Sequence, residues 1–207
     1  MPKMKKKIIV LGSGGHAKSC LDVIESTGKF EVLGLIGKDE KVGQLKFGYK
    51  ILGVDYDIRK FQNLTDSIFI GIGGITNLEN RAKIYNNLKK YGFQIETIIS
   101  PSAVVAPSAK ISEGVIIHHL AFVGADAVVE HNSIINTRAV IEHDSKVGSH
   151  THISTGAIIN GNVRVGNRTF IGSGAQIKQG LSIGSDVLIN MGVSVYSNLD
   201  NFERLLN

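Results

Sequence analysis

At 207 residues, with an ordinary apolar share of 43 %, the chain can form one large domain or two small ones and bury a core. A single cysteine, Cys20, excludes a disulfide framework and points to a reducing cytoplasm, and no apolar run approaches membrane-spanning length. The net charge of +5 does not form a nucleic-acid stripe. The lysines gather at 3 to 7 and around 83 to 90 without interleaved aromatics, which suits a solvated face or attraction for a small phosphorylated ligand.

The chain opens on "MPKMKKKIIVLGSGG", lysines followed by an apolar run, superficially a signal peptide. The run is too short before Gly12, and the glycines fit a strand entering a loop. "KKIIVLG" therefore predicts a buried strand, and "HAKSCLDVIESTG" a helix with Ala17, Cys20, Leu21 and Ile24 on one face, closed by Gly28. "FEVLGLIG" and "SIFIGIGG" predict further strands. "TNLENRAKIYNNLKKYG" predicts a second helix, capped by Thr76 or Asn77, with Leu78, Ala82, Tyr85 and Leu88 facing inward. Strands alternating with helices imply a small parallel α/β sheet over residues 1–97.

From residue 98 the pattern changes. Every sixth residue from Ile99 to Val195 is Val or Ile, 17 positions without a break. With about a third of the region aliphatic, chance would give this roughly once in 10^8, so it marks a hexapeptide register. The residue four places after each is small or aliphatic, and Gly or Asn commonly follows it directly, as at Gly124, Asn136, Gly148, Asn160, Gly166, Gly172 and Gly184. These are expected to supply the positive φ of tight corners. Three hexads would close an 18-residue triangular coil, each aliphatic stacking about 4.8 Å from its equivalent in the next. Residues 98–207 thus predict a parallel β-helix.

The hexad run resembles the left-handed β-helix acyltransferases, and the left hand is implied by that resemblance alone. Trimers with acetyl-CoA in the groove between neighbouring coils are implied in the same way. The 18-residue period stacks His143 on Gly161, and Asp144 stands beside the histidine. An imidazole oriented by a carboxylate, next to a bare backbone amide, has the minimum parts for acyl transfer.

The stretch "INTRAVIEHDSKVGSHTHISTGAIINGNVRVG" resembles the bacterial sugar acetyltransferases of the bacillosamine N-acetyltransferase and sialic acid O-acetyltransferase family. That resemblance implies His143 as general base with Asp144 as its acidic partner. It also implies Gly161, His152 and Asn136 toward the cofactor or acceptor. His150 and His131 match no role and are expected in solvent, and the adjacent His118 and His119 cannot face one groove. Zinc sites on such coils carry a His-x4-His pair; no two histidines here have that spacing, so no metal is expected.

"VLGSGGHAKS", read as Gly12-x-Gly14-x-x-Ala17, is alone a weak dinucleotide fingerprint whose amides suit a phosphate, with a plain tight turn as the alternative. No acidic residue ends the second strand, where Gly37-Lys38 precedes Asp39. The family resemblance implies an abbreviated Rossmann-like domain whose Ser13, Gly14, Gly15 and His16 meet a nucleotide-activated sugar, with Gly71, Ile72 and Gly73 lining the same crevice; the Asn80-Arg81 pair also matches. The final "NMGVSVYSNLDNFERLLN" departs from the family in lacking a G-x-P-A tail.

The expected protein is a cytoplasmic homotrimeric acetyl-CoA-dependent acetyltransferase acting on the amine of a nucleotide-activated amino sugar. O-acetylation of a sialic-acid-like sugar, a non-catalytic trimeric sugar-nucleotide scaffold and a nicotinamide-binding redox role are the alternatives.

Overall fold

The computed structural model describes residues 4–38, 40–75 and 78–206. The proposed cap at Thr76 or Asn77, and Asp39, lie outside them. The first part carries β1 (Lys6–Leu11), α1 (Gly15–Ser26), β2 (Phe30–Gly37), β3 (Leu45–Lys46), β4 (Tyr49–Val54), a 3-10 turn (Asp55–Phe61), β5 (Ser67–Ile70), α2 (Leu78–Lys90) and β6 (Gln94–Ile95). The predicted strands and helices are present. The strands β3, β4 and β6 were not predicted; β4 pairs parallel to β2 and antiparallel to the two-residue β3.

The sheet order is β3-β4-β2-β1-β5-β6, so the chain reverses direction across the sheet between β1 and β5. Crevices open beyond the carboxyl ends of strands at such a switch point. Here those ends are followed by Gly12–His16 and Gly71–Gly73. Gly12 has φ +124°, and a Cβ there would lie 2.8 Å from the Gly71 carbonyl oxygen, so only glycine lets the two loops touch.

From Ile98 onward, two-residue strands stack into three parallel sheets of seven, six and five strands, the faces of a triangular coil. The register is 18 residues: Ile116 pairs with Ile134, Phe122 with Val140, Val128 with Lys146. Only the last coil shortens, where Leu188 pairs with Arg204. The sixth-residue aliphatics from Ile117 to Val195 are at most 3 % exposed, whereas Ile99 is 37 % exposed. Burial comes from the coil on either side, and the first coil lacks one below it. Ser133, Thr151 and Thr169, polar members of the small-residue column, are satisfied within the stack. Each hydroxyl donates to a carbonyl of the next coil at 2.8 Å, and those of Ser133 and Thr151 accept the N–H of the following member of the column.

The corner glycines require a correction. Positive φ falls three places after each hexad aliphatic from Ile111 to Ile189, at Leu120, Asp126, Asn132, Arg138, Asp144, His150, Asn162, Arg168 and Asp186, and at Gly114, Gly156, Gly174, Gly180 and Gly192. The glycines directly after the aliphatic, Gly124, Gly148, Gly166, Gly172 and Gly184, are absent from that set. They are needed for clearance: a Cβ at Gly166 would meet Gly184 and Ser185 backbone at 2.5 Å. Asn136 and Asn160 occupy the same place without positive φ.

The α/β part packs on one face of the coil. Ile98, Ile116 and Ile134 point outward from the seven-stranded sheet into a cluster with Ile8, Val10, Cys20, Leu21 and Ile24. Burying each such side chain contributes about 1.5–3 kcal/mol. At the centre of the joint sits Arg81, 1 % exposed, which donates to the carbonyls of Ile70 (2.9 Å), Ile72 (2.6 Å) and Asn132 (3.1 Å). Burial lowers its pKa to about 10. It ties the lip of the crevice to the coil. Among the described residues no helix is long and apolar enough to cross a membrane.

Candidate active site

The expected site residues fall in two places. The first is the corner between the strands Val140–Ile141 and Lys146–Val147. His143 sits there, backbone pinned by Asn162 N–H donating to its carbonyl at 2.9 Å. Below it, Gly124 leaves room for the His143 backbone; a Cβ there would lie 2.8 Å from His143 N. Asp144 takes φ +61°, and that turn brings its carboxylate to accept from His143 Nδ1–H at 2.8 Å. The opposite ring nitrogen, Nε2, lies over Gly161, where a Cβ would stand 2.7 Å from it. The Gly161 N–H has no acceptor among the described residues. The hydrogen bond to Asp144 raises the imidazole pKa, against a smaller opposing effect of desolvation. The corner therefore presents a basic imidazole in a fixed tautomer, its free nitrogen over a bare backbone, and both side chains are more than half exposed.

The second place is the crevice at the ends of β1 and β5, about 620 Å³, lined by Gly12 to His16, Gly71 to Gly73 and, from neighbouring elements, Ile36, Lys38, Asn80 and Ile84. Gly14 caps α1 without a side-chain bond, and nothing lies within 4 Å of where a Cβ on Gly14 or Gly15 would be. The open first turn of a helix suits an anion. Ser13 also lines this space, and its hydroxyl donates to Glu40, which also accepts from Lys46 Nζ at 2.6 Å. These bonds, Lys46 first and Ser13 second, hold Glu40 at a pKa of about 2. The carboxylate missing from the end of β2 is thus supplied three residues later by the loop, a substitution that strand-end spacing does not reveal.

His152 and Asn136 do not join His143. His152, 7 % exposed, lies on the coil face under the α/β part, donating from Nδ1 to the Gly74 carbonyl at 3.0 Å; Asn136 Nδ2 stands 3.3 Å from its Nε2. His150, expected in solvent, is instead half-buried edge-on to Tyr85, with ring centroids 5.4 Å apart, and 2.9 Å from Asn132 Nδ2. Burial lowers its pKa to about 4. His131 stays exposed. His118 and His119 part company: His118 is buried, while His119 pairs with Asp22 at 3.0 Å. The face that carries His152 is the side of the triangle opposite the His143 corner. One chain thus holds crevice and corner on opposite sides of its coil.

Residues 7–88 match the family described as PglD N-terminal domain, and residues 144–179 the bacterial transferase hexapeptide of six repeats. A variant of the GDP-perosamine N-acetyl transferase from Caulobacter crescentus, solved with CoA and GDP-perosamine, superposes at TM-score 0.90 with 28 % identity over 96 % of this chain and 92 % of that one. The acetyltransferase domain of PglB from Neisseria gonorrhoeae FA1090, solved with acetyl coenzyme A, does so at 0.86 with 27 % identity over 97 % and 96 %. Among curated proteins, the uncharacterized protein L142 of Acanthamoeba polyphaga mimivirus is 30 % identical over 107 residues, 52 % of this chain. The match spans only 20 % of that relative's length. An α/β domain joined to a left-handed hexapeptide coil defines a β-helical acyltransferase. Both parts match, and the solved neighbours align across nearly the whole chain. Residues 7–88 thus carry the PglD N-terminal domain and residues 144–179 the transferase hexapeptide repeat, and over nearly its whole length the chain is similar to solved hexapeptide-repeat sugar acetyltransferases.

Proposed function

We propose that the chain transfers the acetyl group of acetyl-CoA to the amine of a nucleotide-activated amino sugar, with His143 as general base. The observation that carries this reading is His143 Nε2 standing over Gly161 while Nδ1 is fixed by Asp144. Acetyl-CoA as co-substrate is supported by neighbours solved with CoA or acetyl-CoA, and the sugar nucleotide by those solved with GDP-perosamine. The amine attacks the thioester carbon and Nε2 takes its proton. The Gly161 N–H donates to the oxyanion, and collapse expels the CoA sulfur, which leaves as the thiol with the proton from the imidazolium. No covalent enzyme intermediate is needed, because Cys20 is buried in α1.

Because crevice and corner face apart in one chain, the reading requires a second copy, whose crevice carries the sugar to this His143. A cytoplasmic homotrimer with three such junctions is the assembly proposed. The Gly14–Gly15 turn would receive the diphosphate at the start of α1, with His16 and Gly71, Ile72 and Gly73 as the walls. His152, buried under the α/β part, would act by holding the Gly74 backbone, with the half-buried Asn136 set against its other ring nitrogen.

Thiol release from acetyl-CoA against a panel of amino sugar nucleotides and nonulosonates tests the reading. Release with the amino sugars, and an added acetyl mass on the amine, is expected. Release only with nonulosonates would make it an O-acetyltransferase, and none at all a sugar-nucleotide scaffold.

A pH profile tests the base separately. The base is active when neutral, so activity falls as pH drops through the raised pKa of His143. In Asp144→Asn that pKa descends, so the acidic limb of kcat/KM should move to lower pH while the plateau falls. An unmoved limb would remove His143 as the titrating group.

A further inference from the structure

Under the crevice, three groups from both parts of the chain converge. His16 and Cys20 stand one turn apart on α1, and His118 rises from the coil face beneath them. One ligand atom from each of the three lies within 4.8 Å of the others. His118 is 1 % exposed and neither ring nitrogen has a hydrogen-bond partner among the described residues; His16 Nε2 is likewise buried and without one. Buried imidazole nitrogens nearly always find a donor or acceptor, so orphaned ones in a ring of potential ligands call for a missing partner. The rings of His16 and His118 are 5.8 Å apart between centroids and tilted, close enough for one ion to bridge nitrogen atoms after a small contraction.

We propose that His16, Cys20 and His118 form a binding site for a zinc-class divalent transition ion, which staples α1 of the α/β part to the coil. Two imidazoles and a thiolate are a borderline-soft set that favours such an ion over magnesium or calcium. Burial already keeps the imidazoles in the neutral, ligating form, with His118 at about 4. Burial also keeps the thiol protonated, its pKa pushed up to about 12, so binding must release that proton: the divalent ion replaces H+ on Sγ, and one proton appears per ion bound. Arg81 lies close enough to favour the thiolate, but its charge adds to that left on the ion. The excess positive charge favours an anion already in solution, such as chloride, or a ligand oxygen in the fourth position, which adds no further proton to the count. Histidine spacing along the coil gives no hint of this site, because its ligands come from both parts of the chain and meet only in the fold.

The full chain, stripped by a chelator, is titrated with Co(II) and then Zn(II). One equivalent of cobalt should bind with a thiolate-to-metal band in the near ultraviolet, release one proton, and be displaced by zinc. Cys20 is the only cysteine, so that band can arise from nowhere else. Cys20→Ser should abolish it, and His118→Gln should weaken zinc binding more than about 100-fold, since losing even an outer-shell partner costs 10–100-fold. If the serine variant does not fold, the glutamine variant decides. Cobalt bound without the band, no stoichiometric uptake, or unchanged zinc affinity in His118→Gln would overturn the site. None of these readouts depends on acetyl transfer.

Discussion

In His143→Ala, turnover should fall by at least about 10²-fold while the fold and assembly state remain as in the parent. The side chain is more than half exposed at a corner held by backbone bonds, Asn162 to His143 carbonyl and Asp144 N–H to Ala125 carbonyl, so its removal opens no cavity. What disappears is the group proposed to take the acceptor proton over Gly161. A positioned base contributes about 10²–10⁴ in rate, which sets the range of the loss. It should fall on kcat more than on KM, because the crevice that would hold the sugar is a separate structure. Gly161→Ala is the companion. That glycine is absent from the positive-φ set, so alanine suits its backbone, but the added methyl would stand 2.7 Å from Nε2 and push the ring aside. It should approach the loss seen in His143→Ala with the imidazole still present. Near-normal turnover in both would place the chemistry elsewhere.

How far this was readable in advance follows from which features are periodic. The coil announced itself because one aliphatic per hexad is the whole condition for its core. The stacking of His143 on Gly161 followed from counting 18, and Asp144 from adjacency. The buried histidines were another matter. His150 looks like any corner residue until Tyr85 from α2 is laid against it, and His152 is turned inward by the α/β part. Arg81 sits on the same helix face as Leu78, Ala82 and Tyr85, and its charge hides that it is core. Glu40 reaches Ser13 through an irregular loop that carries no pattern at all. Interactions between domains are set by docking, and a single sequence encodes docking only through surfaces that look solvent-facing until they meet.

The glycines of the coil divide into two kinds, and substitution should separate them sharply. Gly172 follows the inward Ile171, and a Cβ there would lie 2.5 Å from Met191 N and press on the carbonyl carbon of Asn190 in the next coil. No rotamer relieves a methyl facing backbone. The Gly172 N–H to Ile189 carbonyl bond, at 2.8 Å, must stretch as the rungs part. Overpacking of this kind costs about 3 kcal/mol. In a chain of this size that lowers Tm by about 6–12 °C. Two residues on, Gly174 has φ +68° and nothing within 4 Å of where its Cβ would be. Asp126, Asn132, Asp144, Asn162 and Asp186 hold that conformation at equivalent corners. Gly174→Asn should therefore melt within about 2–4 °C of the parent, the shift expected for about 1 kcal/mol. Thermal unfolding of Gly172→Ala beside Gly174→Asn decides it: equal shifts would mean that corner conformation, and not clearance between coils, is what glycine provides here.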